Sequence, residues 1–391
     1  MTDATLLERL VAGPTTRREE AQILALLRVA SADNLDQILA STDIAALLNS
    51  VDDHLFGPAN RQQARDLLVE RLGDLGVEAR ANLAYGLQGG GTSEADAEAI
   101  RAVLTSAHGE QLTRLKNAMN MRIDRHDLEG LVFGDIRQPG IRQDILAHIA
   151  DQAAAVTPGE AKILCDIDDT VMASLHDRRF PRGTVYPGIL AFLDALDRGP
   201  EDEPYSLGDL TFVTARPSDA FGVIANHTRG SLRRAGVANH SVLTGSVIHL
   251  LTHDLMAGRK IAKIEHYHAL FPEYPLLFIG DSGQGDIRVG ELLWERFATV
   301  LDLVVIHDVV GLPQQDRDRL RSHRIHVVDT YVGAAQLAWD RGLIAAEGRD
   351  RTVTEARAAL ASISWDSPEQ QQTTERLIAR DLAVVEASSD R

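Results

Sequence analysis

The sequence predicts an α/β protein: a Rossmann-like parallel sheet with helices on both faces, preceded by an all-helical N-terminal domain. Three observations carry this expectation. From about residue 5 to residue 155 apolar residues recur at spacings of three and four, the period of a helix. Beyond residue 157 short unbroken runs of Val, Ile, Leu and Phe alternate with helical stretches, as in a sheet buried on both faces. A chain of 391 residues is also long enough for two domains. The expected division is 1–156 helical, 157–346 the α/β unit and 347–391 a C-terminal helical extension.

In chain order, Ile23, Leu26, Leu27 and Ala30 make one apolar helical stripe, and Ala64, Leu67 and Leu68 another. Thr16 with Glu19 reads as a capping box, and Ser93 with Asp96 as a similar start ahead of Ile100, Val103 and Leu104. Gly57-Pro58, the triple glycine at 89–91 and Pro139-Gly140 punctuate the helices. The triple glycine lacks the Gly-Lys-Ser/Thr ending of a phosphate loop and reads as a linker. The strand-like runs are Ile163 to Cys165, Leu210 to Val213, Leu276 to Ile279, Val304 to His307 and Ile325 to Val328. A further strand is expected between Thr214 and Lys260, and two helices after residue 347.

Lys and Arg number 40 against 57 Asp and Glu, a net charge of −17 that argues against non-specific binding to nucleic acid. Cys165 is the single cysteine, which excludes an internal disulfide and a cysteine-rich zinc site and suits a reducing cytoplasm. The first residues lack the basic start and apolar stretch of a signal peptide, and no run reaches the roughly 18 apolar residues of a membrane span. The expected location is cytoplasmic, with lipid approached only peripherally, from the water side.

The chemistry-bearing residues lie at strand ends, where parallel sheets place their ligands. The first strand runs into Asp166, Asp168, Asp169 and Thr170, and the Leu276 run into Gly280, Asp281 and Asp286. Carboxylates held together raise one another's pKa unless a proton or cation intervenes. Such oxygen donors suit a hard cation, and a few carboxylates completed by water suit Mg²⁺ better than Ca²⁺. Thr214 ends another strand before Arg216, and Lys260, with Lys263 as its competitor, precedes a helix. A hydroxyl and an ammonium there would hold phosphoryl oxygens.

Taken together, Asp-x-Asp-x-Thr, a strand-end Thr, a Lys before a helix and Gly-Asp with a second Asp resemble the four motifs of the haloacid dehalogenase superfamily of phosphatases. Asp166 to Thr170, Tyr186-Pro187-Gly188, Phe271-Pro272, Ile279 to Gln284, Val328 to Tyr331 and Gly342-Leu343-Ile344 narrow the likeness. They resemble the catalytic domain of the actin-patch-associated phosphatidate phosphatase family, related to lipins. The resemblance covers about residues 160 to 345. It implies that Asp166 attacks phosphorus and forms an aspartyl-phosphate, and that Asp168 serves as general acid and then base. It further implies that Thr214 and Lys260 bind the phosphoryl group, that Asp166, the backbone carbonyl of Asp168 and Asp281 hold Mg²⁺, and that Asp286 binds it through water or orients the groups around it. Asp169 is assigned to turn geometry or support of the site, and the Thr170 hydroxyl to capping the turn.

Cap domains in this superfamily usually close over small substrates, and here only Val171 to Val185 separates the first motif from the next helix. A minimal cap and an open site follow. Arg178, Arg179 and Arg182 in that short flap, with Arg216, are candidate substrate contacts for an anionic headgroup or polymer. The expected function is a Mg²⁺-dependent phosphatase acting on phosphatidate or a related phospholipid. Two alternatives stand beside it: the same chemistry on a soluble or macromolecular phosphate, and a binding or scaffold protein with a silent phosphatase fold. Cys165 reads as a packed side chain, and His249, His253, His266 and His268 as surface or capping residues. Trp294 and Trp339 are expected to pack against the sheet.

Overall fold

A computed structural model describes residues 7, 9–10, 15–51, 60–88, 92–120, 127–157, 161–202, 210–217, 241–245 and 253–389, with the side chains of 214–217, 241–245, 253–256 and 389 outside that description. Contacts divide the chain into two compact units, one reaching Thr157 and including His266–Glu273, the other comprising Pro158–Glu265 and the residues from Tyr274 onward.

Among the described residues the first unit is helical: α1 (Arg17–Val29), α2 (Ala32–Ser41), α3 (Ile44–Ser50), α4 (Asn60–Glu70), α5 (Val77–Leu87), α6 (Glu94–Thr105), α7 (Gly109–Asn120) and α8 (Pro139–Ala153). The start signals act as read. The Thr16 backbone N–H donates to Glu19 Oε2 at 2.8 Å while the Glu19 N–H donates to Thr16 Oγ1 at 3.3 Å. Asp96 N–H donates to Ser93 Oγ at 3.1 Å. Pro139 takes the first position of α8, where its missing N–H costs nothing. Helix α5 packs against α2, α3, α6 and α7 and is apolar nearly all round, as a central helix must be. It approaches α3 so closely that a Cβ on Gly86 would sit 2.5 Å from Ile44 Cβ. Its buried Arg80 donates to the Leu72 and Ser106 carbonyls, filling acceptors at the ends of neighbouring segments. His266 lies 2.9 Å from Glu129 Oε1 and stacks on Phe133. His249 and the His253 side chain lie outside the described residues.

The second unit is built on six parallel strands in the order β3-β2-β1-β4-β5-β6: β1 (Lys162–Cys165), β2 (Leu210–Pro217), β3 (Ser241–Gly245), β4 (Leu276–Asp281), β5 (Leu301–His307) and β6 (Ile325–Val328). Its described helices are α9 (Ile189–Arg198), α10 (His253–Leu270), α11 (Asp286–Phe297), α12 (Gln314–Arg321), α13 (Tyr331–Asp340), α14 (Ala346–Ser362) and α15 (Pro368–Ser389); the last residues of α10 belong to the first unit. Successive strand side chains point to opposite faces. Ile163, Cys165, Leu277, Ile279, Leu303 and Val305 share one core with Phe192, Leu193, Tyr331 and Ala335. On the other face α11 presses on the sheet, and a Cβ on Gly290 would come 3.0 Å from Val304 Cγ1. Double coverage explains why these strands read as unbroken apolar runs.

Two expectations are corrected. Lys260 does not precede its helix but lies inside α10, which runs through Gly258, where an exposed glycine costs only about 1 kcal/mol. Strand β2 does not end at Val213; it continues to Pro217 through a register irregularity, so the Thr214 backbone lies within it. The two helices expected after residue 347 are present, and α14 and α15 belong to the second unit. Gly188 and Gly348 give α14 close access to α9: a Cβ on Gly348 would stand 2.8 Å from Ala195 Cβ. Trp339 packs on the sheet core, and Trp294 stacks on His323. Among the described residues no helix is long and apolar enough to cross a membrane.

Phe192 is fully buried in the sheet core. Phe192→Ala is expected to lower the stability of the second unit by about 3 to 5 kcal/mol, read as an earlier midpoint in urea unfolding.

Candidate active site

Strands β1 and β4 are neighbours, pairing Cys165 with Ile279, and the strand order runs outward from them in both directions. At such a reversal the connections diverge and leave a crevice at the carboxyl ends. Asp166 emerges there from β1, its backbone N–H still bonded to the Ile279 carbonyl at 2.8 Å. Asp281 ends β4, and Asp286 opens α11 after a glycine-rich turn whose Gly285 adopts φ 97°. Gly280 is required between them, since a Cβ there would lie 2.5 Å from Asp286 Oδ2.

The three carboxylates are buried, and one oxygen of each lies within 4.8 Å of the others, a cluster that could hold a metal ion. Lys260 reaches it from α10, with Nζ 2.6 Å from Asp166 Oδ1 and 2.6 Å from Asp286 Oδ1. Asp281 Oδ1 accepts the Gly283 N–H at 2.6 Å, but among the described residues the buried Asp281 Oδ2 has no hydrogen-bond partner. Three carboxylates against one ammonium leave two negative charges uncompensated. Burial, followed by Asp286 and Asp168, pushes the Asp166 carboxyl up to about 7 against the pull of Lys260. Burial and its two acidic neighbours raise Asp281 well above the carboxylate range. Burial disfavours the Lys260 ammonium, yet Asp166 and Asp286 outweigh it and its pKa is raised. The orphaned oxygen and the charge imbalance both fit a divalent cation of the hard, oxygen-preferring kind.

Around this centre Asp169 organises the flap. Its backbone takes φ 58°, unusual for a residue with a Cβ. Its carboxylate accepts the N–H groups of Ser174 at 2.7 Å, Leu175 at 3.0 Å and His176 at 2.8 Å, bonds that hold its pKa down against burial. Asp168 is half-buried; its Oδ1 accepts the Ser174 hydroxyl at 2.9 Å, and its carbonyl accepts Gln284 Nε2 at 3.4 Å. Thr170 does not cap the turn: among the described residues its buried hydroxyl has no partner, and it is the Thr170 carbonyl that takes the Tyr331 hydroxyl. Cys165 is buried, and burial together with Asp166 raises its thiol, which keeps it inert.

The structure thus gathers Asp166, Asp281, Asp286 and Lys260, with the Asp168 side chain outside the three-carboxylate cluster. Lys260, not Lys263, bonds the cluster carboxylates because of its place on α10. The roles expected of the Thr214 and Arg216 side chains lie outside the described residues, and so does part of the minimal-cap expectation, at 218–240 and 246–252. Arg178 and Arg182 are exposed on the flap. Arg179 is not available to substrate: it pairs with Asp177 at 2.8 Å and also reaches the Asp329 carbonyl and His307. Reading the flap as a basic spot overlooked that Asp177 is buried and needs a cation.

Sequence reasoning also missed His307 and Asp308 at the end of β5. Asp308 accepts the Ser282 hydroxyl at 2.9 Å and the Gly311 and Leu312 N–H groups, and it pairs with Arg317, fixing the loop after β4. Burial, then Arg179, pulls His307 down to about 4. The strand-end rule that singled out Asp166 and Asp281 points to both. Compared with known protein families, with curated proteins and with solved structures, the chain matches none.

Two outcomes follow. The raised Asp166 and Asp281 carboxyls bind protons more tightly folded than unfolded, so the metal-free protein loses stability as pH rises from the ordinary 3.8 through about 7. A cation needs the carboxylate form, so Mg²⁺ affinity should rise about tenfold between pH 6 and pH 8 by calorimetry; a flat profile contradicts this. Gly280→Ala displaces Asp286 and is expected to weaken Mg²⁺ binding at least about tenfold in the same titration.

Proposed function

We propose that the chain is a phosphomonoesterase of the haloacid dehalogenase type, dependent on Mg²⁺, with Asp166 as the nucleophile. The observation that supports this most is a buried carboxylate at a sheet switch point, fixed by Lys260 and neighboured by Asp281 with an unpartnered oxygen. A structural ion pair would not need the two further carboxylates.

In this reading Asp166 Oδ attacks phosphorus in line as the bond to the ester oxygen breaks. Lys260 holds the attacking carboxylate in place and favours its ionised form against burial. Asp168, set by the Ser174 hydroxyl, gives its proton to the departing alkoxide. The carboxylate so formed then takes a proton from the water that attacks the aspartyl-phosphate, which returns Asp166 and releases phosphate. Asp166, Asp281, Asp286 and the Asp168 carbonyl would hold Mg²⁺, which supplies masking of the phosphate's negative charge. Thr214 joins Lys260 in binding the phosphoryl oxygens.

The substrate proposed is phosphatidate or a related phospholipid, met at a membrane surface from the cytoplasm. The motif resemblance supports it, as do Arg178 and Arg182, both exposed on the flap beside the nucleophile turn. Unit one, residues 1–156 in the expected division, then serves targeting or assembly.

Phosphate release is measured from dioctanoyl phosphatidate and p-nitrophenyl phosphate. Release should require Mg²⁺, stop with EDTA, and fall at least about a thousandfold in Asp166→Asn and about 10² to 10⁴-fold in Asp168→Asn. Release indifferent to EDTA or to Asp166→Asn removes the reading in favour of a binding protein. Activity on the soluble ester alone moves the substrate to soluble phosphates.

A further inference from the structure

His307 ends β5, its Nδ1 within reach of the Asp169 carbonyl in the turn after Asp166. It is about 1% exposed, enclosed edge-on by Tyr186 at 4.4 Å between ring centroids and flanked by Tyr331 at 5.0 Å. Among the described residues each of its ring nitrogens has one partner. Nε2 lies 3.0 Å from Arg179 Nη2, and Nδ1 lies 3.2 Å from the Asp169 carbonyl. A guanidinium has no lone pair to offer and a carbonyl has no proton to give. Nε2 must therefore accept and Nδ1 must donate, which leaves one neutral tautomer. The charges facing the ring are Arg179 and, behind it, Asp177 and Asp308, and burial keeps the ring unprotonated.

Arg179 is itself immobilised: Nε and Nη2 bond Asp177 at 3.0 and 2.8 Å, and Nη1 bonds the Asp329 carbonyl at 3.2 Å. The chain ends on Asp169, whose φ of 58° is the strained point of the loop between Asp168 and the flap. We propose that His307 is a positioning residue: as the Nδ1–H tautomer, locked by Arg179, it anchors the Asp169 carbonyl and thereby sets Asp166 and Asp168 for reaction. Its kinetic arm rests on the phosphatase reading; the tautomer does not.

The test uses the full chain. In ¹⁵N-histidine NMR at pH 7, with His307→Asn identifying the signals, Nδ1 should carry the proton and Nε2 should be bare. A proton on Nε2, or on both nitrogens, overturns the inference. With p-nitrophenyl phosphate at saturating Mg²⁺, His307→Phe keeps the ring volume but removes both bonds, and it should lower kcat about 10- to 100-fold with KM unchanged. His307→Asn is smaller, yet its amide can donate near the place of Nδ1, and it should lose less. A space-filling role gives the reverse order and overturns the proposal. If the wild-type protein releases no phosphate, the phosphatase reading falls, and the two variants are compared by calorimetric Mg²⁺ affinity. Phe weaker than Asn again supports positioning, and Asn weaker than Phe, or no difference between them, overturns it.

Discussion

Lys260 stands between two carboxylates, 2.6 Å from an oxygen of Asp166 and 2.6 Å from an oxygen of Asp286, and its single charge is too small for the pocket it occupies. Most of the second unit's carboxyl edge can be understood from that shortfall. Carboxylates taken out of water are tolerated only when paired, protonated or bound to metal. Here Lys260 pairs with two of the three, and a raised proton affinity at Asp166 and Asp281 marks where the remainder of the compensation belongs. Removing Lys260 would leave still more unbalanced charge in the buried cluster.

Backbone features serve the same constraint. Adjacent parallel strands bring Asp166 and Asp281 side by side, and the missing Cβ of Gly280 lets Asp286 turn back beneath them. Asp169, Asp308 and Asp177 are buried acids too, yet each is satisfied by backbone N–H groups or an arginine. Asp281 differs from them: among the described residues one of its buried oxygens has no hydrogen-bond partner.

The strands and the first-turn caps were legible because their signals are local: unbroken apolar runs, and a Thr or Ser three residues before an acid. Asp166, Asp281 and Asp286 were legible because strand ends locate sites. Lys260 was found by its type, but its place inside α10 was hidden by Gly258, which reads as a break and costs too little to be one. Arg179 looked like a surface cation because its partner Asp177 is two residues away, and sequence does not reveal which acid is buried. His307 and the close approach of α14 to α9 depend on contacts between distant segments, and no periodicity encodes those.

A crystal soaked in Mn²⁺, a detectable stand-in for Mg²⁺, tests the charge argument most directly through its anomalous difference density. The account predicts one strong peak bound by oxygens of both Asp166 and Asp281, with Lys260 still bonded to Asp286. No peak there, or one that displaces Lys260 from both carboxylates, would contradict it.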